Sequence, residues 1–96
     1  MSNSTRDTIF IGKKPLMTYV TSAIIQLSTM PIVTLKARGY SIAMAVDVAQ
    51  VIQRKTNAFE IGKIKIDHEV LESTDGKKRN VSTIEIPMKR TFGKVL

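Results

Sequence analysis

The strongest constraint on this chain lies in its last third, where two alternating runs flank a turn. Ile64, Ile66 and Val70 alternate with Lys63, Lys65, Asp67 and Glu69; on the return, Ile84, Ile86 and Met88 alternate with Thr83, Glu85 and Lys89. A period of two sends successive side chains to opposite faces, so each run reads as a half-buried strand. Asp75-Gly76 between them is a strong turn signal. Strands of about 12 residues reach roughly 40 Å at ~3.3 Å each. A helix of about 15 residues spans only about 22 Å. Helices packed on such a hairpin cannot cover all of it. The tip is therefore expected to project as an arm, and the apolar alternation does fade there, through Glu72, Ser73 and Thr74.

Upstream, the short β-branched and aromatic run Thr8 to Gly12 reads as a strand. Pro15 sits where a first helical residue would. Leu16, Val20, Ala23, Ile24 and Leu27 follow at helical spacing, with only Ile25 outside the apolar arc, and Pro31 marks the stop. Ile32 to Ala37 alternates as a second strand, Gly39 turns the chain, and Ser41 is a candidate N-cap for a helix from Ile42 to about Lys55. The order is β-α-β-α-β-β. Two right-handed crossovers would put both helices on one face of a four-stranded mixed sheet, giving a two-layer α/β fold. Residues 8–90 form the expected domain, with tails at 1–7 and 91–96.

Composition narrows the chemistry. The chain has 96 residues, no Cys and one His, which excludes disulfides, thiolate nucleophiles, Cys-ligated zinc and multi-His metal sites. The stretch from Pro15 to Leu35 is uncharged, but its Ser, Thr and Gln residues and Pro31 argue against a membrane span. MSNSTRD carries no apolar run and is no signal peptide. Asp67 and Glu69 share one strand face yet interleave with Lys63 and Lys65, and His68 points the other way, so no paired acid or nucleophile–base set is visible. No enzyme, metal or cofactor is expected.

Fifteen Lys and Arg against eight Asp and Glu give a net charge of +7. That excess suits a polyanionic partner, nucleic acid above all. Its placement is informative. Lys13 and Lys14 directly precede the first helix, where cations oppose the helix dipole. An arriving phosphate reverses that cost, because two ammonium groups and free backbone N–H groups then converge on one anion. Lys36 and Arg38 end the second strand, so parallel pairing of the first two strands would gather all four cations at their carboxyl ends. Tyr19 and Tyr40 lie close enough to add a hydroxyl or a ring. Lys77, Lys78, Arg79 and Asn80 follow the hairpin turn and would put a basic ribbon at the arm tip.

The second helix has an apolar arc of roughly 220°, wider than one core face requires. Ile42, Val46 and Ala49 can face the core, while Met44, Val48 and Val51 lie on the far side. We expect that far side to be a seam with a second copy of the chain.

IFIGKKPLMTYV, then LKARGYSIAMAVDVAQ, then VSTIEI resemble the Alba family of small archaeal chromatin proteins. The resemblance runs from about Thr8 to Arg90, and the GKKP and KARG blocks are specific in combination. It implies a homodimer that binds double-stranded DNA without marked sequence preference, in the cytoplasm and on the nucleoid. Some relatives also bind RNA, so structured RNA held on the same face is the alternative. The implied contact positions are Lys13, Lys14, Tyr19, Lys36, Arg38 and the segment Lys77 to Asn80. Two positions depart from the pattern. Tyr40 stands where many members have a second basic residue. Some members carry an exposed Phe just after the second helix that joins dimers, whereas this chain has Thr56 there and Phe59 further on.

Overall fold

A computed structural model describes residues 7–91; the expected tails at 1–7 and 91–96 lie outside these residues, apart from Asp7 and Thr91. The elements are β1 (Thr8–Phe10), α1 (Leu16–Leu27), β2 (Ile32–Arg38), a 3-10 turn (Gly39–Ser41), α2 (Ile42–Lys55), β3 (Phe59–Ile61), β4 (Lys65–Glu72) and β5 (Lys78–Arg90). β1 pairs parallel with β2, and β5 pairs antiparallel with β2 on one side and with β3 and β4 on the other. The sheet is mixed, as expected, but it has five strands rather than four.

The extra strand comes from a break in the expected third one. Ile61 stands opposite Met88 and Lys65 opposite Glu85. Gly62, Lys63 and Ile64 therefore face only Ile86 and Pro87, which is one residue too many and makes a β-bulge. Pro87 explains the place. Its carbonyl accepts the Gly62 N–H at 2.7 Å, so its nitrogen points to the same edge but has no hydrogen to give. The bulge also switches parity: odd residues Phe59 and Ile61 face the helices in β3, even residues Ile66 and Val70 in β4. Gly62 packs closely here: a Cβ would lie 3.1 Å from the Pro87 ring and 2.9 Å from the Lys89 side chain, which would have to move aside.

Both helices cover one sheet face. Val20, Ala23 and Leu27 of α1 and Ala45, Val48, Ala49 and Ile52 of α2 meet Ile9, Val33, Leu35, Ile84, Ile86 and Met88 in one buried cluster. α1 follows its pattern closely: Pro15 precedes its first residue, and Ile25 is exposed. α2 does not begin as expected. The 3-10 turn leads directly into it, and Ser41 makes no side-chain cap. The turn needs a residue with φ of +59°, which Gly39 supplies without a Cβ penalty.

α2 also turns a different side inward. Val48 is fully buried inside its own subunit, and Met44 and Val51 are half-buried against the same core. Val48 has no surface left for a second chain, so a seam of Met44, Val48 and Val51 cannot run through Val48 as expected. Val46, assigned to the core by pattern, is 40% exposed. An arc of apolar residues locates a helix face only to within its own width, and here it was wide.

The arm is present. β5 is 13 residues long, against 12 and 14 for the helices, and the molecule measures 57 × 29 × 24 Å. Its tip turns at Gly76, with φ of +85°. The Asp75 carboxylate accepts hydrogen bonds from the Ser73 hydroxyl and from the Lys77 N–H. These bonds hold its carboxyl below the ordinary value of 3.8, the Ser73 contribution being the larger.

Candidate nucleic-acid interface

Parallel pairing of β1 and β2 has the consequence expected from topology. The loop after β1 and the end of β2 border one open cleft of about 890 Å³, lined by Lys13, Lys14, Lys36 and Arg38 together with Phe10 and Tyr19. Lys13 and Lys14 are exposed. Behind them α1 begins without a side-chain cap and without an acidic residue in its first turn. Its other end is treated differently: the Arg90 guanidinium donates to the carbonyls of Leu27 and Met30. A cation serves the negative end of the helix, whereas the positive end is left open beside two lysines. That end can accept an anion.

Tyr19 is buried, so it offers no stacking face to a ligand. Its place is structural. The Gly12 and Lys14 N–H groups both donate to its hydroxyl oxygen, at 2.8 and 2.9 Å. One phenol thus pins the backbone on either side of Lys13 and sets where both lysines stand. Gly12 is close to this oxygen as well, which a Cβ would approach to 3.4 Å. The sequence placed Tyr19 near the site but did not show this role.

Lys36 and Arg38 carry partners that pattern alone did not reveal. The Lys36 ammonium lies 3.9 Å from Glu85, its neighbour across the β2–β5 ladder. Arg38 reaches past β5 and donates to Glu69 of β4 at 3.0 Å. Glu69 therefore belongs to the site, paired with Arg38 rather than with the lysines of its own strand. Asp67 accepts the His68 N–H at 2.8 Å. Among the described residues no three His, Cys, Asp or Glu side chains converge to hold a metal. Phe10 is the other residue missed. It is 66% exposed at the edge of the cleft, a position readable from its inward neighbours Ile9 and Ile11.

The remaining expected residues lie elsewhere. Tyr40 is fully exposed and borders a separate groove with Arg79 and Asn80. Lys77 and Lys78 are exposed at the arm tip and line neither this groove nor the cleft. Thr56 closes the end of α2, its hydroxyl donating to the Ile52 carbonyl at 3.2 Å, and Phe59 packs half-buried against the core. Neither presents an exposed ring after α2.

The Alba family model matches residues 7–68, which include β1, the lysine loop, both helices and the start of the arm. The chain belongs to the Alba family. It is 65% identical over 92 residues to the DNA/RNA-binding protein Alba of Nitrosopumilus maritimus, covering 94% of this chain and 97% of that one. Its identity to the protein of the same name from Methanocella arvoryzae is 46% over 84 residues, covering 85% and 88%. Among solved structures, Alba from Thermoplasma volcanium superposes with a TM-score of 0.79 at 39% identity, over 86% of this chain and 99% of that one. ALBA1 from Trypanosoma brucei shares the fold, with a TM-score of 0.73 at 19% identity over 92% and 72% of the two chains. The two solved structures thus share the fold of this chain over most of its length.

Proposed function

We propose that two copies of this chain hold double-stranded DNA through its phosphates, without marked sequence preference, as an architectural protein of the nucleoid. The convergence of Lys13, Lys14, Lys36 and Arg38 at an uncapped helix end is the observation that carries this reading. Its chemistry suits a repeating anion. Ammonium groups on flexible stems meet phosphates as point charges and do not discriminate between bases. The names of the archaeal relatives as DNA/RNA-binding proteins support the same class of ligand. Catalysis has no part in the reading. No helix among the described residues is long and apolar enough to cross a membrane.

The second copy has a surface to cover. Ile66 stands opposite Ile84, whose side chain is in the core, so Ile66 points to the helix side of the sheet. It lies beyond the reach of the helices and is 76% exposed. Val70, two positions further on the same face, and Ile64 are exposed too. Ile42 of α2 borders the same groove as Ile66, and His68 stands between Ile66 and Val70 on that face, so the root of the arm carries a largely apolar strip. A two-fold partner laying its own strip here would bury both and bring two clefts and two arms into one basic assembly.

Salt tests the phosphate reading. If each dimer neutralises about six phosphates, log K falls against log[salt] with a slope of about −5. Lys13→Glu combined with Lys14→Glu weakens binding to every duplex sequence alike and leaves the fold intact. A salt-insensitive affinity, or a loss confined to particular sequences, would refute it.

A further inference from the structure

Tyr40 is the one aromatic ring of the described residues that stands wholly in solvent. Among those residues its hydroxyl has no hydrogen-bond partner. The ring is not loosely mounted. It sits in the middle of the Gly39–Ser41 3-10 turn, between the end of β2 and the first turn of α2. Gly39 takes its left-handed φ there, and the position of its absent Cβ is 3.5 Å from the Val81 side chain, so the turn rests against β5. A rigid turn that displays a ring with only two side-chain torsions loses little entropy when the ring is covered.

The surroundings define what can cover it. Arg79 and Asn80 of β5 border the same groove, of about 470 Å³, within the size range of clefts that take a small planar ligand. A guanidinium answers a phosphate. A side-chain amide both donates and accepts, as the edge of a base requires. A flat ring answers the face of a base, which is free only when the base is unpaired and unstacked. A phosphate-only site would place another cation here, because a phenol adds no charge.

We propose that Tyr40 is a stacking platform for an unpaired nucleobase, with Arg79 taking the adjoining phosphate and Asn80 the base edge. The groove gives the protein a preference for loops, bulges or single strands beside its general hold on duplex. This inference rests on the nucleic-acid reading above but makes a separate demand: duplex binding needs the lysine cleft, and loop binding needs Tyr40 as well.

The test uses the full chain against an RNA hairpin and a DNA hairpin that share stem and loop sequence, and against fully paired duplexes of each stem. Tyr40→Ala should weaken binding to hairpins by about 5- to 140-fold, the loss of one stacked base, and leave the duplexes unchanged. Tyr40→Phe should bind as wild type, since it keeps the ring. The chain has no Trp and two Tyr, so tyrosine emission reports the contact. Hairpins should quench it in wild type but not in Tyr40→Ala. A response to both hairpins or to the RNA hairpin alone supports the inference, the second restricting the ligand to RNA. Equal losses on hairpin and duplex, no loss on either, or unquenched emission would overturn it while leaving the duplex reading standing. Failure of wild type to bind any of the four nucleic acids at low salt would overturn both.

Discussion

Replacing Glu69 with Gln should tighten nucleic-acid binding, because Glu69 competes with phosphate for Arg38. The pair is 3.0 Å apart, with the two side chains 61% and 49% exposed. At that distance two unit charges in water attract by about 1.4 kcal/mol. Side-chain entropy and solvent screening reduce the net worth of such exposed pairs to about 0.2–1 kcal/mol. A phosphate that recruits Arg38 must first overcome this amount. A dimer contains the pair twice, so removing it releases about 0.4–2 kcal/mol, or about 2- to 30-fold in affinity. The salt slope changes too. Each newly held phosphate adds about 0.9 to its magnitude, so two give at most about 1.8.

The measurement is an anisotropy titration of a short labelled duplex from about 50 to 200 mM salt. Glu60→Gln is the control. It raises the net charge from +7 by the same single unit, but Glu60 lies on β3, opposite Lys89 at the far end of β5 from the arm tip. A general effect of charge moves both variants equally. Release of Arg38 moves Glu69→Gln further and steepens only its slope. If the two variants coincide, or if Glu69→Gln binds more weakly than wild type, Arg38 is not a phosphate ligand restrained by Glu69.

Tyr19→Phe removes the acceptor for the Gly12 and Lys14 N–H groups. It should lower stability by about 1–3 kcal/mol and weaken duplex binding, with faster amide exchange at Gly12 and Lys14; unchanged exchange would show that the phenol does not hold the loop. Ile66→Glu should yield folded monomers by sedimentation, whereas Val48→Glu should unfold the chain, since Val48 is enclosed by its own subunit. A soluble wild-type-like dimer from Ile66→Glu would move the seam elsewhere. The arm-tip turn should respond to acid. Asp75 has its carboxyl held low in the folded state, so its contribution is complete above the ordinary value of 3.8 and fades as pH falls through the lower folded one. Amide shifts of Gly76 and Lys77, followed from about pH 5 downward, should report this, and Asp75→Asn should abolish the acid transition.

Much of the fold was legible because neighbours along the chain carried it. Pro15, Pro31, Gly39 and Asp75-Gly76 punctuate the elements, and period decides their type. The bulge was legible in principle. Apolar residues occupy odd positions at Phe59 and Ile61 and even positions from Ile64, with Gly62 at the change. Such a parity switch marks one inserted residue. The inward side of α2 was not legible. Its arc of apolar residues is too wide to orient the helix, and only contact with Leu35, Ile86 and their neighbours decides that Val48 is inside and Val46 outside.

The cleft shows a second kind of limit. Composition counts charges, and topology says which of them meet, but neither says which are already paired. Lys36 and Arg38 face Glu85 and Glu69 across strands that are far apart in sequence. Lys13 and Lys14 have no carboxylate within ion-pair distance among the described residues. Those two lysines therefore meet phosphate without first giving up a partner, and their direction is set by backbone that Tyr19 holds. Affinity for duplex should thus depend more on one buried phenol than on either partnered cation of β2. Tyr19→Phe weakening binding more than Lys36→Ala would bear that order out, and the reverse order would place the principal phosphate contact on the strand instead of the loop.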